Sequence, residues 1–144
     1  MVNVLAKCKE YVPIGKDETE VNVMSTLDVI KSYYSSQSNK DDKWQDLWSD
    51  DAVFSDASQT LLANGKEEVI KAFTPFLKGV AALKISQMIV EGEKACFIIS
   101  YTYANQKKEQ MDQDVAEVWE VRGGKLATLT IYFDLTAYRR FMQG

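Results

Sequence analysis

Histidine is missing from all 144 residues. That absence excludes Ser-His-Asp and Cys-His catalysis, and with them most zinc sites, whose ligand sets draw on His or clustered Cys. Cysteine is nearly missing too. Cys8 and Cys96 are the only two, too few for a disulfide framework, so a reducing cytoplasm is the expected location. Cys96 lies in "KACFIISYTY" and reads as a small packed hydrophobe. Basic residues are outnumbered, 17 against 21 acidic, for a net charge of -4. No nucleic-acid partner is expected from that balance. No apolar run approaches the roughly 20 residues that span a bilayer. The N-terminal "MVNVLAKCKEYVPIGK" has no apolar core of a secretory signal, so no membrane contact is expected. No metal-ligand spacing or cofactor motif is present, and neither a metal nor a cofactor is expected. Any proton transfer near neutral pH therefore falls to a carboxylate, Tyr, Lys or Cys with a shifted pKa.

What is present is an ordinary globular composition, 46% hydrophobic and 26% charged, in a length that suits one core. Residues 1–23 read as an N-terminal extension, broken by Pro13 and Gly15, either a short element or disordered. Residues 24–144 read as one domain. "STLD" at Ser25 is a helix-capping pattern. Leu27, Ile30 and Tyr34 then recur at helical spacing, with Val29 and Tyr33 one face over. "DKWQDLWSD" reads as a short second helix, "AVFS" and "TLLAN" as short strands. "GKEEVIKAFTPFLKG" reads as a third helix that Pro75 distorts or stops early. Four long strands follow, joined at "EGEK", "NQKKEQ" and "RGGK". Phe97, Ile99, Tyr101 and Tyr103 share a face, as do Met111, Val115, Trp119 and Val121. "LTAYRRFM" suits a closing helical turn. Helices first and a sheet after make an α+β domain: a strongly twisted antiparallel sheet with the helices packed on one face.

The order of these pieces resembles the nuclear transport factor 2-like superfamily, in its SnoaL-like polyketide cyclase and ketosteroid isomerase-like branch. "VIKSYYSSQSNKDDKWQDLWSDDAVFSD", "NGKEEVIKAF", "VRGGKLATL" and "IYFDLTAYRRF" carry the likeness, over about Met24 to Met142. The resemblance implies a cone-shaped, curved antiparallel sheet with the N-terminal helices packed on its concave face, a conical apolar pocket for a small hydrophobic ligand, and a homodimer formed through the outer face of the sheet. It also implies site residues. In "DDAVFSD" Asp56 takes the place of the isomerase general base. Asp134 in "YFD" takes the place of an acid or base used by cyclases and epoxide hydrolases. Tyr33, or its neighbour Tyr34, takes the place of the phenol that steadies an enolate oxygen. Tyr34, Trp48, Phe54, Phe73, Tyr101, Tyr103, Val118, Tyr132 and Phe133 would line the pocket.

Plain structural readings stand beside these. Asp56 suits a turn before "ASQT", and Asp134 suits the N-cap of the tail helix. The aromatics suit a solid core as well as a pocket lining. The last strand leaves open whether Tyr132 or Phe133 faces inward. The isomerase pattern also wants an acid on the next-to-last strand. That place falls near Ala116, where no acid stands, although Asp114 and Glu117 are close by. The Arg and Asp of the epoxide hydrolases have no counterpart in "FIISYTYAN". Two functions follow: carboxylate-mediated proton transfer on a small apolar carbonyl compound, or a non-catalytic ligand-binding or dimerisation module.

Overall fold

The computed structural model describes residues 25–57 and 61–143; the expected extension over 1–23 lies outside them. Helix α1 (Thr26–Asn39) starts where Ser25 Oγ accepts the Asp28 N–H. This satisfies one of the donors that a first helical turn leaves unpaired. Its two apolar stripes are both covered: Leu27, Val29, Ile30, Tyr33 and Tyr34 are buried. The second expected helix is only a five-residue 3-10 turn (Lys43–Leu47), and Trp48 already belongs to strand β1 (Trp48–Asp56). Strand β2 (Leu61–Asn64) leads through Gly65, whose φ of 100° suits glycine alone, into α2 (Lys66–Lys78). Pro75 does not end α2, which runs three residues beyond it. Pro75 gives up the one hydrogen bond its N–H would make to the Lys71 carbonyl, and the helix ends within a turn of it.

The four long strands are β3 (Val80–Glu91), β4 (Lys94–Ala104), β5 (Gln110–Arg122) and β6 (Lys125–Tyr132), and α3 (Leu135–Gln143) closes the described chain. The sheet has six strands in the order β2-β1-β6-β5-β4-β3. Its long hairpins are antiparallel, as expected, but β1 runs parallel to β6. A mixed sheet results because β1 returns to the last strand across the intervening helix and hairpins. No helix among the described residues is long and apolar enough to cross a membrane.

Cross-strand register sorts the side chains. Opposite residues share a face, and one row runs Met88, Phe97, Glu117, Ile131, Asp56 from β3 to β1. Phe97, Glu117 and Ile131 are buried, so this row belongs to the concave face. The adjoining row, Ile89, Cys96, Val118, Thr130, belongs to the convex face, where Ile89 and Val118 are exposed. On β6 the apolar set Leu129 and Ile131 faces inward and Tyr132 outward.

Between α1, α2 and the concave face lies a cluster of rings. Trp48 stacks on Phe73 with centroids 5.9 Å apart, and Phe73 meets Phe54 at 4.5 Å. Tyr33 touches Trp44, Trp48, Phe73 and Trp119 edge-on. Such edge-to-face contacts place ring edges against electron-rich faces and add to burial. Phe73 therefore ties α2 to β1 and α1 at once. Phe73→Ala should cost about 3–5 kcal/mol of unfolding free energy. Urea denaturation should show a lower midpoint at an unchanged slope. A loss under about 1 kcal/mol would mean that the cluster is not close-packed.

Candidate active site

One carboxyl group is buried among these rings. Glu117, on β5, is 2% exposed. It sits inside because its parity on the strand matches Val115, Trp119 and Val121, all buried. Tyr34, from α1, donates its O–H to Glu117 Oε1. Tyr101, from β4, donates to Oε2 at 2.8 Å. Trp119 Nε1–H in turn donates to Tyr34 Oη at 3.0 Å. Both carboxyl oxygens and the Tyr34 oxygen are thus engaged by three different elements, in a chain whose links polarise one another.

Burial sets the electrostatics. Removing Glu117 from water disfavours its charged form and outweighs the two phenol hydrogen bonds that favour it, leaving its pKa raised to about 7. The phenols of Tyr34 and Tyr101 are held well above the ordinary range, first by burial and then by the neighbouring Glu117 charge. Tyr33 is raised in the same way. Further polar side-chain atoms are buried without a partner, among them Trp48 Nε1, Tyr103 Oη and Gln113 Oε1.

The expected site residues fall into distinct groups. Of the two tyrosines, Tyr34 holds the acid and Tyr33 is the hub of the ring cluster. Trp48, Phe54, Phe73, Tyr101 and Tyr103 are all buried on the concave side. Asp56 is half-buried and stands in the concave row, two strands from Glu117 with Ile131 between them. At about 4.8 Å per strand their backbones are ~10 Å apart. Asp134 does not join this group. It is exposed, and its Oδ1 accepts the Ala137 N–H at 2.9 Å as the N-cap of α3. Val118 and Tyr132, expected in the pocket, stand on the convex face at 39% and 43% exposure, because β5 and β6 turn their odd-numbered residues inward. Phe133 is partly buried against Tyr138 of α3.

The place counted back to Ala116 holds no acid; the buried carboxyl on β5 is that of Glu117, one residue further on. Ala116 faces the convex side opposite Ile98 and Tyr132, and Glu117 faces inward. The signal was the alternation itself: Met111, Val115, Trp119 and Val121 share a parity that includes Glu117. No group of three or more His, Cys, Asp or Glu able to hold a metal exists among the described residues.

Residues 30–129 match the model of the SnoaL-like domain. The chain belongs to the SnoaL-like domain family. No curated protein matches the sequence significantly. Solved structures agree on the fold. A protein from Jannaschia sp. CCS1 described as a SnoaL-like polyketide cyclase is 14% identical, with a TM-score of 0.71 over 92% of this chain and 99% of that one. An epoxide hydrolase of the LEH-like kind from M. tuberculosis is 16% identical, with a TM-score of 0.67 over 82% and 89%. A protein with a ketosteroid isomerase-like fold from Catenulispora acidiphila DSM 44928, solved with trimethylamine, is 11% identical, with a TM-score of 0.64 over 80% and 92%. At these identities the likeness is one of fold, and a fold does not fix a function.

The raised pKa of Glu117 has a stability consequence. Between about pH 4.5 and 7 the folded protein keeps the Glu117 proton and the unfolded chain releases it. Unfolding then becomes easier as pH rises through that window, by about 3 kcal/mol in all, and the trend levels off above it. Glu117→Gln is neutral at every pH and should remove this part of the slope. Urea titrations of both proteins at several pH values measure it; identical slopes would contradict the assignment.

Proposed function

We propose that this SnoaL-like protein is a cofactor-independent enzyme of isomerase or cyclase type, moving a proton on a small apolar carbonyl compound held in the cone. The observation that carries this reading is the buried Glu117 between Tyr34 and Tyr101, with Asp56 in the same row. Proton counting says what the trio can do. With Glu117 ionised, both phenol protons are committed to its two oxygens. With Glu117 protonated, its own O–H must donate to a phenol oxygen, which sets one phenol O–H free. That surplus donor in a low-dielectric site suits a carbonyl oxygen on which negative charge develops.

The chemistry then balances simply. Asp56 takes a proton from the carbon beside the carbonyl, the C–H electron pair moves toward oxygen, and the enolate oxygen is held by the freed phenol O–H. Asp56 returns the proton to another carbon for isomerisation; in an aldol-type ring closure the enolate carbon attacks a second carbonyl and Asp56 gives its proton to the alkoxide that forms. The neutral form of Glu117 is the competent one. Turnover should therefore fall as pH rises through about 7, and Glu117→Gln should be flat over that range. Asp56→Asn should slow α-proton exchange of a β,γ-unsaturated cyclic ketone, followed by NMR in deuterium oxide, by roughly a hundredfold or more. Exchange at the wild-type rate in Asp56→Asn would remove Asp56 from the mechanism.

A second reading is a non-catalytic binding or dimerisation module. The close ring packing of Tyr33, Trp48, Phe73 and Trp119 favours it, because a ligand would have to reorient those rings. So do the exposed Ile89, Val118 and Tyr132 on the convex face, which suit a homodimer through the sheet. Val118→Arg would place a charge in the middle of that face. Sedimentation should then show a monomer in place of a dimer. A wild-type protein that is already monomeric would end the dimer proposal.

A further inference from the structure

Helix α3 packs over the end of the concave face where Phe76 and Tyr103 stand, and it is weakly held. None of its nine residues is buried. Tyr138 rests edge-on against Tyr103 at 4.9 Å and meets Phe76 at 6.0 Å and Phe133 at 5.7 Å. Two side chains of the β4–β5 hairpin reach its ends. Asn105 Nδ2 donates to Phe141 O at 3.2 Å, and Gln113 Nε2 donates to Asp134 O at 3.1 Å. An element with few buried apolar contacts opens at low cost compared with the strands beneath it.

The polar atoms under this cover are unusual. Tyr103 is fully buried, yet its Oη has no partner. Gln113 Oε1 is buried and has none either. The two residues are diagonal neighbours on one face, since Tyr101 pairs with Gln113 and Tyr103 with Met111. A buried polar atom left unpaired is costly, so two side by side call for a partner that the protein does not itself supply. A phenol O–H donates and an amide oxygen accepts. Together they match a hydroxyl group, which accepts one hydrogen bond and donates another.

We propose that Tyr103 and Gln113 form an outer polar subsite, reached when α3 lifts and sealed when it returns. The subsite selects ligands that carry a hydroxyl at the end remote from the group held by Tyr34, Tyr101 and Glu117. This rests on the reading of the cone as a ligand site. It adds what that reading lacks: an entrance, and a chemical requirement at the far end of the ligand. Tyr138 is the residue that closes the entrance, and Asp134, as the cap of α3, is the pivot.

The test compares two probes, 2-naphthol and 2,6-dihydroxynaphthalene, by titration calorimetry on the full chain, with hydrogen exchange of α3 as a second readout. The dihydroxy probe should bind roughly tenfold more tightly, the scale of an added buried hydrogen bond. Tyr103→Phe, which keeps the ring, should erase that preference and bring the two affinities together. The amides of α3 should exchange far faster than those of β4 and β5, and slow when the dihydroxy probe is bound. Tyr138→Ala should speed α3 exchange further and weaken both probes alike. Equal affinities for the two probes, or a preference that survives Tyr103→Phe, would overturn the subsite alone. Exchange of α3 as slow as that of the central strands would overturn the cover. Failure of both probes to bind would overturn the ligand-site reading itself, and the subsite with it.

Discussion

A single carboxyl group governs this structure. Glu117 is surrounded by rings, on a concave face whose other polar groups, Asp56, Tyr103 and Gln113 among them, are few. An ionised group in such a place is expensive, and an unpaired one more so. Three side chains from separate elements are spent on it: Tyr34 from α1, Tyr101 from β4 and Trp119 from its own strand. The helix and two strands are thereby locked in one register. A leucine of similar size would fill the space with no such demand. An acid kept at the cost of burial is the feature on which the proposed proton transfer rests.

The rest of the architecture serves that placement. The parallel pairing of β1 with β6 brings Asp56 into the row of Glu117, with Ile131 between. The ring cluster keeps water away and lowers the local dielectric, which raises the Glu117 pKa and strengthens every hydrogen bond to it. The convex face carries a different chemistry. Ser86, Ser100 and Asp114 form a polar ladder across β3, β4 and β5, while Ile89, Val118 and Tyr132 form an exposed apolar patch beyond it. One sheet thus separates a proton-holding interior from an exterior suited to contact.

Much of the fold was legible in the sequence because periodicity is a direct record of burial. The cap at Ser25, the two stripes of α1 and the four long strands all follow from patterns of apolar residues. The parallel strand pair was not legible, since alternation says which face a residue takes and nothing about its neighbour strand. Trp44, Leu47 and Trp48 showed helical spacing over a segment too short to distinguish a 3-10 turn from a helix. The site was half legible. Asp134 offered two readings from one position, and the hydrogen bond to Ala137 N shows the cap. Glu117 was hidden by a one-residue offset, which on a strand reverses the face. Its parity with Trp119 was the evidence, and a charged residue on a buried parity is the feature to look for.

The measurement that bears most directly on this account is the titration of Glu117 itself, followed by carboxyl-carbon NMR on protein labelled at glutamate, with Glu117→Gln to assign the signal. Burial among Tyr34, Tyr101 and Trp119 predicts a midpoint near 7. A midpoint at the ordinary glutamate value of about 4.3 would contradict it. It would mean that the carboxylate is solvated or stabilised as an ion, and that the interior holds no exchangeable proton near neutral pH.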